Sequence, residues 1–292
     1  MREIADLLVS LAFYGAAYGM ILYFLAVGLS VTLGLMRFVN LAHGVFAMTG
    51  GYVTVTLMSR AGVPFIPSVL ISVVVVGVVG MALERTLCRR FYSAPILDQV
   101  LLSIALIFIS IAVARSLYGP LAQPIELPAW LSGRMDIGIG VFPAYRVFLI
   151  VVGVLLAALI RLGIERSRFG ASVRAAVDNR QMAESVGINV NRVFTICFGI
   201  GTGLAALGGS LGADLLPIYP AYPNDYLVYF LIVVAVAGMG NIGGAFLVGL
   251  GFGMTDTVIR YFLPEAGRIL IFVLVMAILF RRPYGFAPKI QA

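Results

Sequence analysis

Residues 226–262 read YLVYFLIVVAVAGMGNIGGAFLVGLGFGMTDTVIRYF, a stretch of 37 residues in which only Asp256 and Arg260 carry charge. One helix of this length would be about 55 Å long at a rise of 1.5 Å per residue. The hydrocarbon core of a bilayer is only about 30 Å thick, and about 20 apolar residues cross it. We therefore expect two membrane-spanning helices that meet at the glycine-rich segment 238–244.

The composition of the whole chain agrees with a membrane protein. Of its 292 residues, 61% are hydrophobic and 11% are charged, and the mean hydropathy is +1.06. Soluble domains carry about 25% charged and about 45–50% apolar residues, and a soluble core of this size could not bury so much apolar surface. The expected fold class is all-α: a polytopic transmembrane helical bundle of about eight to ten spans, forming a single domain over residues 1–292.

Apolar runs that are separated by charges or proline predict nine spans, of which one could be re-entrant. They cover residues 10–36, 41–59, 64–87, 99–118, 145–162, 191–215, 226–241, 243–262 and 267–281.

The arginines predict the orientation of these spans. They are concentrated in segments 85–98 and 161–192 and at the C-terminus, which also holds Lys289. Short cytoplasmic loops carry an excess of Lys and Arg, so we expect these parts inside the cell. The segment 119–144 is rich in proline, contains Trp130 and is expected outside. The N-terminus is then outside and the C-terminus inside. The net charge of +7 reflects this pattern, and we expect membrane lipid, not nucleic acid, as its partner.

Two segments of the chain resemble each other. NLAHGVFAMTGG begins at Asn40 and NIGGAFLVGLGFG begins at Asn241, and each is followed by a span end, a proline and another span. This indicates a weak internal repeat, with shared glycine and aliphatic content as the alternative explanation. The solute path of a transporter often lies where repeats meet. We therefore predict solute-path residues at Asn40, His43, Gly44, Asn241 and Gly244. For His43, the only histidine, a structural hydrogen bond is the alternative.

Two short motifs match enzyme signatures. Gly238, Gly240 and Gly243 fit the dinucleotide fingerprint G-x-G-x-x-G, but that motif requires a βαβ unit. GGSLG at 208–212 fits the nucleophile motif G-x-S-x-G, which requires a strand–turn–helix. Both lie within or between predicted spans, where glycines let helices approach closely. An intramembrane hydrolase using Ser210 and His43 is the enzyme alternative.

The chain lacks the residues that an ATPase needs. Its only lysine is Lys289, and G-x-x-x-x-G-K-[ST] does not occur, so no phosphate-binding loop of that type exists. We expect no cofactor in this chain and, with a single histidine, no metal site. Asp256 and Arg260 are spaced to pair on one helix. No unpaired membrane acid is evident, which weighs against a self-powered carrier.

The longest polar segment, residues 161–192, reads RLGIERSRFGASVRAAVDNRQMAESVGINVNR. Residues 171–185 favour a helix, and Gly187 is a suitable C-cap. An amphipathic helix there would present Arg174, Asp178 and Glu184 to a soluble partner. A solvated loop is the alternative.

Three segments together resemble the LivH/LivM family of branched-chain amino acid ABC transporter permeases. GLMRFVNLAHGVFAMTGGY resembles one family motif, and AGMGNIGGAFLVG resembles another, with Ala237 where the family usually has glycine. SRFGASVRAAVDNRQMAESVGIN resembles the family's cytoplasmic loop. Its matching residues are Ser167, Gly170, Arg174, Ala175, Met182, Ala183, Gly187, Ile188 and Asn189.

The resemblance implies the permease subunit of an importer in the cytoplasmic membrane, not an enzyme. It implies a second related or identical permease, two ATPase subunits that bind ATP and Mg, and a periplasmic binding protein. The solutes are branched-chain amino acids or similar small molecules such as urea, amides or aromatic acids. The loop at about 163–190 becomes the coupling helix, with contacts to the ATPase from Arg174, Ala175, Asp178, Asn179, Met182, Ala183, Glu184, Gly187 and Ile188. A stand-alone secondary carrier or channel is the alternative function.

Overall fold

The computed structural model describes residues 2–286 except 37, 39, 139, 239 and 284. Lys289, one of the basic residues that predict a cytoplasmic C-terminus, lies outside the described residues. The helices are α1 (Arg2–Met36), α2 (His43–Ala61), α3 (Phe65–Thr86), α4 (Ile96–Tyr118), α5 (Ala129–Ser132), α6 (Ala144–Ile160), α7 (Arg168–Asp178), α8 (Arg180–Ser185), α9 (Val190–Gly212), α10 (Tyr222–Ala237), α11 (Ile242–Phe262) and α12 (Gly267–Arg281). A 3₁₀ turn (Cys88–Phe91) follows α3, and a π-helical turn (Arg161–Glu165) follows α6.

Each of the nine predicted spans corresponds to a helix within the described ranges, so the all-α bundle is confirmed. Six of them, α1, α3, α4, α6, α9 and α11, contain a segment that is long and apolar enough to cross a membrane. Helices α10 and α12 are apolar but have only 16 and 15 residues. The long stretch 226–262 divides as expected, because α10 ends at Ala237 and α11 begins at Ile242.

Helix α2 begins inside the bundle rather than at its end. His43, its first residue, contacts the carbonyl oxygen of Leu25, which lies eleven residues before the end of α1. At 1.5 Å per residue this is about 16 Å along the α1 axis. The helix is also largely buried. This span is therefore an interior helix. Its interior position explains why it is less apolar than the six helices that are long and apolar enough to cross a membrane.

Glycines allow the central helices to pack backbone against backbone. Helix α1 packs on α11 and α9, and α9 also packs on α2 and α3. A Cβ at Gly19 would lie 2.7 Å from the carbonyl oxygen of Gly249, and one at Gly209 would overlap the carbonyl oxygen of Ala47. Small residues at such crossings allow close van der Waals packing, which holds helices together in lipid.

The two helices that follow the repeated asparagine motifs both pack on the central pair of helices, α1 and α9. Helices α1 and α9 pack on each other, α2 packs on α9, and α11 packs on α1. Each of the two helices that begin at the repeated asparagine motifs therefore packs mainly on one member of the α1–α9 pair.

The lipid-facing surface is apolar. Large hydrophobic side chains on α3, α4, α6 and α12 are exposed, including Leu70, Val74, Phe108, Leu155 and Met276. A soluble monomer rarely exposes so large a continuous apolar surface, whereas lipid covers it in a membrane.

The segment 119–144 contains the only strands among the described residues, which the sequence did not predict. Strands β1 (Arg134–Asp136) and β2 (Val141–Pro143) pair antiparallel, with Met135 opposite Phe142. Phe142 is buried and stacks on Phe13 of α1 at 4.0 Å between ring centroids. The hairpin thereby packs on α1 at Phe13 and Tyr14.

Candidate functional site

The expected coupling helix is two short helices, which corrects the prediction of one. The break falls at Asn179, whose backbone is extended (φ −151°, ψ 101°). Its side-chain oxygen accepts a 3.0 Å hydrogen bond from the backbone N–H of Met182. Asparagine competes with helix continuation in this way and favours N-cap positions. The segment therefore turns between α7 and α8.

Gly187 ends α8 as the sequence indicated. Its φ is +86°, in the left-handed region that glycine adopts readily. Its N–H donates to the carbonyl of Glu184 at 3.0 Å, and the N–H of Ile188 donates to the carbonyl of Ala183 at 3.0 Å. This pair of bonds is the Schellman motif, which satisfies the last carbonyls of a helix.

Helices α7 and α8 have a buried face and an exposed face. Val173, Ala176 and Ala183 are buried against neighbouring elements. Met182 and Val186, one turn apart, are 63% and 69% exposed. The other predicted coupling residues are exposed or half-buried: Arg174, Ala175, Asp178, Asn179, Glu184, Gly187 and Ile188. The exposed face combines charges with two apolar side chains, as protein-binding surfaces often do.

A buried ionic cluster, which the sequence did not predict, joins α3 to α9 at the same end of the bundle. Glu84 is fully buried, and Arg89 donates to it through two nitrogens at 3.1 and 3.2 Å. Tyr92 donates to Glu84 at 2.8 Å and Thr195 donates at 2.6 Å. Burial, followed by the adjacent Glu84 charge, raises the pKa of Tyr92, so this phenol stays protonated as a donor.

This ionic cluster connects to α8 through Asn191. Arg180 donates to the Asn191 side chain at 3.1 Å and forms a 3.1 Å ion pair with Glu184. The carbonyl of Asn191 accepts from Thr195 at 2.9 Å. Only the tertiary fold brings these groups together. The acidic residue at the end of α3, Glu84, is the feature of the sequence that could have indicated the cluster.

The predicted solute-path residues on α2 and just before it are closely packed against neighbouring helices. His43 is fully buried, and its Nε2 lies 3.1 Å from the carbonyl oxygen of Leu25. A Cβ at Gly28 would lie 2.9 Å from the imidazole, so glycine makes room for the ring. Gly44 packs against Pro223 of α10, and Asn40 is buried with its Nδ2 unpaired. These contacts favour structural roles, and a place on the solute path stays a prediction.

The corresponding residues on α11 form a helix cap. The Asn241 side chain accepts from the Gly244 N–H at 2.8 Å and donates to the carbonyl of Ala237 at 3.1 Å. Gly244 also lines an apolar cavity of about 410 Å³ between α10, α11 and α12. The G-x-G-x-x-G segment thus joins two helices rather than a strand and a helix.

Ser210 lacks the surroundings of a nucleophile. It lies within α9, accepts a 2.8 Å hydrogen bond from Thr54 and pairs with Ser72 at 2.9 Å. His43 contacts Leu25 instead, so the Ser–His pair of the hydrolase alternative is not formed. Within the described residues, no group of three His, Cys, Asp or Glu side chains could hold a metal.

A polar cavity of about 390 Å³ lies at the opposite end of the bundle from α7 and α8. Helices α1, α6, α10 and α11 and the segment 215–216 contribute Tyr14, Tyr18, Arg146, Leu215, Leu216, Tyr226, Tyr229, Asp256, Thr257 and Arg260. The predicted pair of Asp256 and Arg260 is present, with 2.6 Å between Oδ2 and Nε. The predicted solute-path residues do not line this cavity. The sequence showed the pair but not the tyrosines that the fold assembles around it.

The fold places this protein among multi-pass helical membrane proteins. Residues 11–279 match the family described as the permease component of the branched-chain amino acid transport system. The chain belongs to this family and is therefore the permease component of a transport system. The family is not known as a family of enzymes.

The curated relatives are similar over almost their full lengths. Over 287 residues the chain is 28% identical to the high-affinity branched-chain amino acid transport system permease protein BraD of Pseudomonas aeruginosa, covering 93% of this chain and 91% of the relative. It is 26% identical to LivH of Escherichia coli K12, with 94% and 93% covered. It is also 26% identical to the probable LivH of Methanocaldococcus jannaschii, with 92% and 89% covered. No solved structure matches the chain significantly.

Proposed function

We propose that this chain is the permease subunit of an ABC importer for branched-chain amino acids in the cytoplasmic membrane. It forms the transport path with a second permease, identical or related. Two ATPase subunits, which bind ATP and Mg, dock on the cytoplasmic side, and a periplasmic binding protein delivers the solute. The names of the relatives support the solute class, and the family resemblance also admits urea, amides and aromatic acids.

The pair α7–α8 is the observation that carries this proposal. It is a capped helical unit that exposes Met182 and Val186 beside charged groups, which suits the docking of a soluble ATPase. The unit also contacts the bundle through α9 and, by way of Arg180 and Asn191, approaches Arg89. Movement of a docked ATPase would thus reach α9 and α3 directly.

Reconstitution in proteoliposomes tests the function. Together with its ATPases, partner permease and binding protein, the chain is expected to take up radiolabelled L-leucine only when ATP is present. The purified chain alone is expected to hydrolyse no ATP, because it lacks a P-loop lysine. Leucine uptake by the chain alone, driven by an ion gradient, would instead establish the stand-alone carrier.

Substitutions in α8 and at the glycine that follows it test the coupling assignment. Glu184→Lys reverses a charge on the exposed face, and Gly187→Val places a β-branched residue at φ +86°, at a cost of roughly 1–2 kcal/mol. We expect each to reduce co-purification of the ATPase about tenfold, while the amount of permease in the membrane is unchanged. Solute-stimulated ATP hydrolysis should fall in parallel.

Gln181→Ala is the matched control, because Gln181 is exposed on the same short helix. It is expected to assemble like the parent. Normal assembly and transport by both Glu184→Lys and Gly187→Val would show that α7–α8 is an ordinary loop structure.

A further inference from the structure

The polar cavity contains a buried carboxylate oxygen that lacks a donor. Asp256 is 2% exposed, and its Oδ2 accepts from Arg260. Its Oδ1 has no hydrogen-bond partner. Buried polar atoms are nearly always paired, and Asp256 is one of the residues that line the cavity, so its unpaired oxygen points to a donor that is not part of the chain.

Aromatic rings make the surroundings of Asp256 suitable for a cation. Tyr18, Tyr226 and Tyr229 share the cavity wall with it. An ammonium group near such rings is stabilised by their negative faces. Arg260 is directed to Oδ2 of Asp256 and lies 3.5 Å from the hydroxyl of Tyr229, which leaves Oδ1 for an incoming donor.

A second cation in the same cavity is available for an anion. The Arg146 guanidinium lies 4.5 Å from the ring centroid of Tyr14. In the part of the chain that the structure describes, Arg146 forms neither a salt bridge nor a hydrogen bond through its side chain, and the carboxylate of Asp214 acts on it only from beyond ion-pair distance. A guanidinium presents several donors in a planar fork that matches a carboxylate. Leu215 and Leu216 add an apolar wall.

We propose that this cavity binds the free zwitterion of an aliphatic L-α-amino acid. The ammonium donates to Oδ1 of Asp256, the carboxylate accepts from Arg146, and the side chain packs on Leu215 and Leu216. The cavity volume of about 390 Å³ falls within the range of small-molecule sites, about 300–1,000 Å³. This assignment rests on the proposed function and gives the permease a solute site of its own, separate from the binding protein.

Protection of an introduced cysteine tests the site without the binding protein. Thr257 lines the cavity, and the native Cys88 and Cys197 are buried. The full-length chain carrying Thr257→Cys, in lipid nanodiscs, is treated with a negatively charged methanethiosulfonate reagent. L-Leucine is expected to slow labelling at least about tenfold at saturation. Neither 4-methylpentanoate, which lacks the ammonium, nor 3-methylbutylamine, which lacks the carboxylate, should protect.

Adding Asp256→Asn or Arg146→Gln is expected to raise the half-protecting leucine concentration about tenfold or more, since each removes a charged hydrogen bond. Ser59→Cys, at the same end of the bundle but outside this cavity, should label at a rate that leucine does not change. Protection that survives both additional substitutions would overturn the proposal. Leucine uptake by the assembled parent transporter tests the proposed function separately, so intact uptake with unprotected Thr257→Cys overturns the cavity assignment alone.

Discussion

Replacing Gly209 by alanine is expected to destabilise the protein severely, although the change adds only one methyl group. A Cβ at this position would overlap the backbone carbonyl of Ala47, so α9 and α2 must separate. Overpacking a filled interior costs about 1–3 kcal/mol and sometimes more. For a domain of this size, we expect the unfolding temperature in detergent to fall by about 5–10 °C, measured by fluorescence-detected size exclusion after heating.

Two other glycines provide a graded comparison. At Gly77 a Cβ would lie 3.2 Å from the carbonyl oxygen of Gly199, and at Gly251 it would meet nothing within 4 Å. Alanine is a better helix former than glycine by roughly 1 kcal/mol, so Gly251→Ala should be neutral or stabilising and Gly77→Ala intermediate. Equal effects at Gly209 and Gly251 would contradict the view that close backbone contact holds α2 and α9 together.

The positions of the helices could be predicted because the signal is local. Each span is a continuous apolar run, and the split of residues 226–262 follows from helix rise and bilayer thickness. The interior start of α2 could not be predicted. It depends on the contact of His43 with Leu25 of another helix, which no apolar run records.

The predicted coupling segment shows the same division between local and tertiary information. Its C-terminal end at Gly187 was predictable, since glycine is the usual residue at a left-handed cap. The break at Asn179 was not predicted, because helix propensity over residues 171–185 outweighed a single asparagine. Its capping bond to Met182 decides the local structure.

The polar cavity and the ionic cluster depend entirely on tertiary structure. Asp256 and Arg260 are neighbours on one helix and were predicted as a pair. Arg146 on α6 reaches the same cavity only through folding. Likewise Glu84 meets Thr195, 111 positions away, at 2.6 Å. Sequence spacing carries no information about contacts at such separations.

The two ends of the bundle therefore differ in function in the proposed transport cycle. The cavity at one end binds the solute, and the pair α7–α8 at the other end binds the ATPase. Arg89 lies at the second end, where it contacts Glu84 of α3 and Thr195 of α9. We infer that this ionic cluster makes α3 and α9 move together when α8 is displaced.

Replacing Arg89 by methionine is expected to be among the most destabilising single changes at that end. It leaves Glu84, which is fully buried, without its cation. Removing one partner of a buried pair costs about 3–5 kcal/mol. Because the Arg89 side chain is 33% exposed, water screens part of the pair, and we expect the lower end of that range. Thermal unfolding in detergent measures the effect, with leucine-stimulated ATP hydrolysis as a second readout in the assembled transporter.

Two variants distinguish loss of the pair from loss of the side chain. Arg180→Met breaks an ion pair whose side chains are 47% and 48% exposed, and such surface pairs contribute only about 0–1 kcal/mol. The double variant Glu84→Gln with Arg89→Met removes both charges and should recover much of the stability lost in Arg89→Met alone, because the unpaired buried carboxylate is gone. If the double variant is instead less stable than Arg89→Met, charge compensation by Arg89 is not what holds α3 against α9. The hydrogen bonds that Glu84 accepts from Tyr92 and Thr195 then outweigh the cost of its unpaired charge.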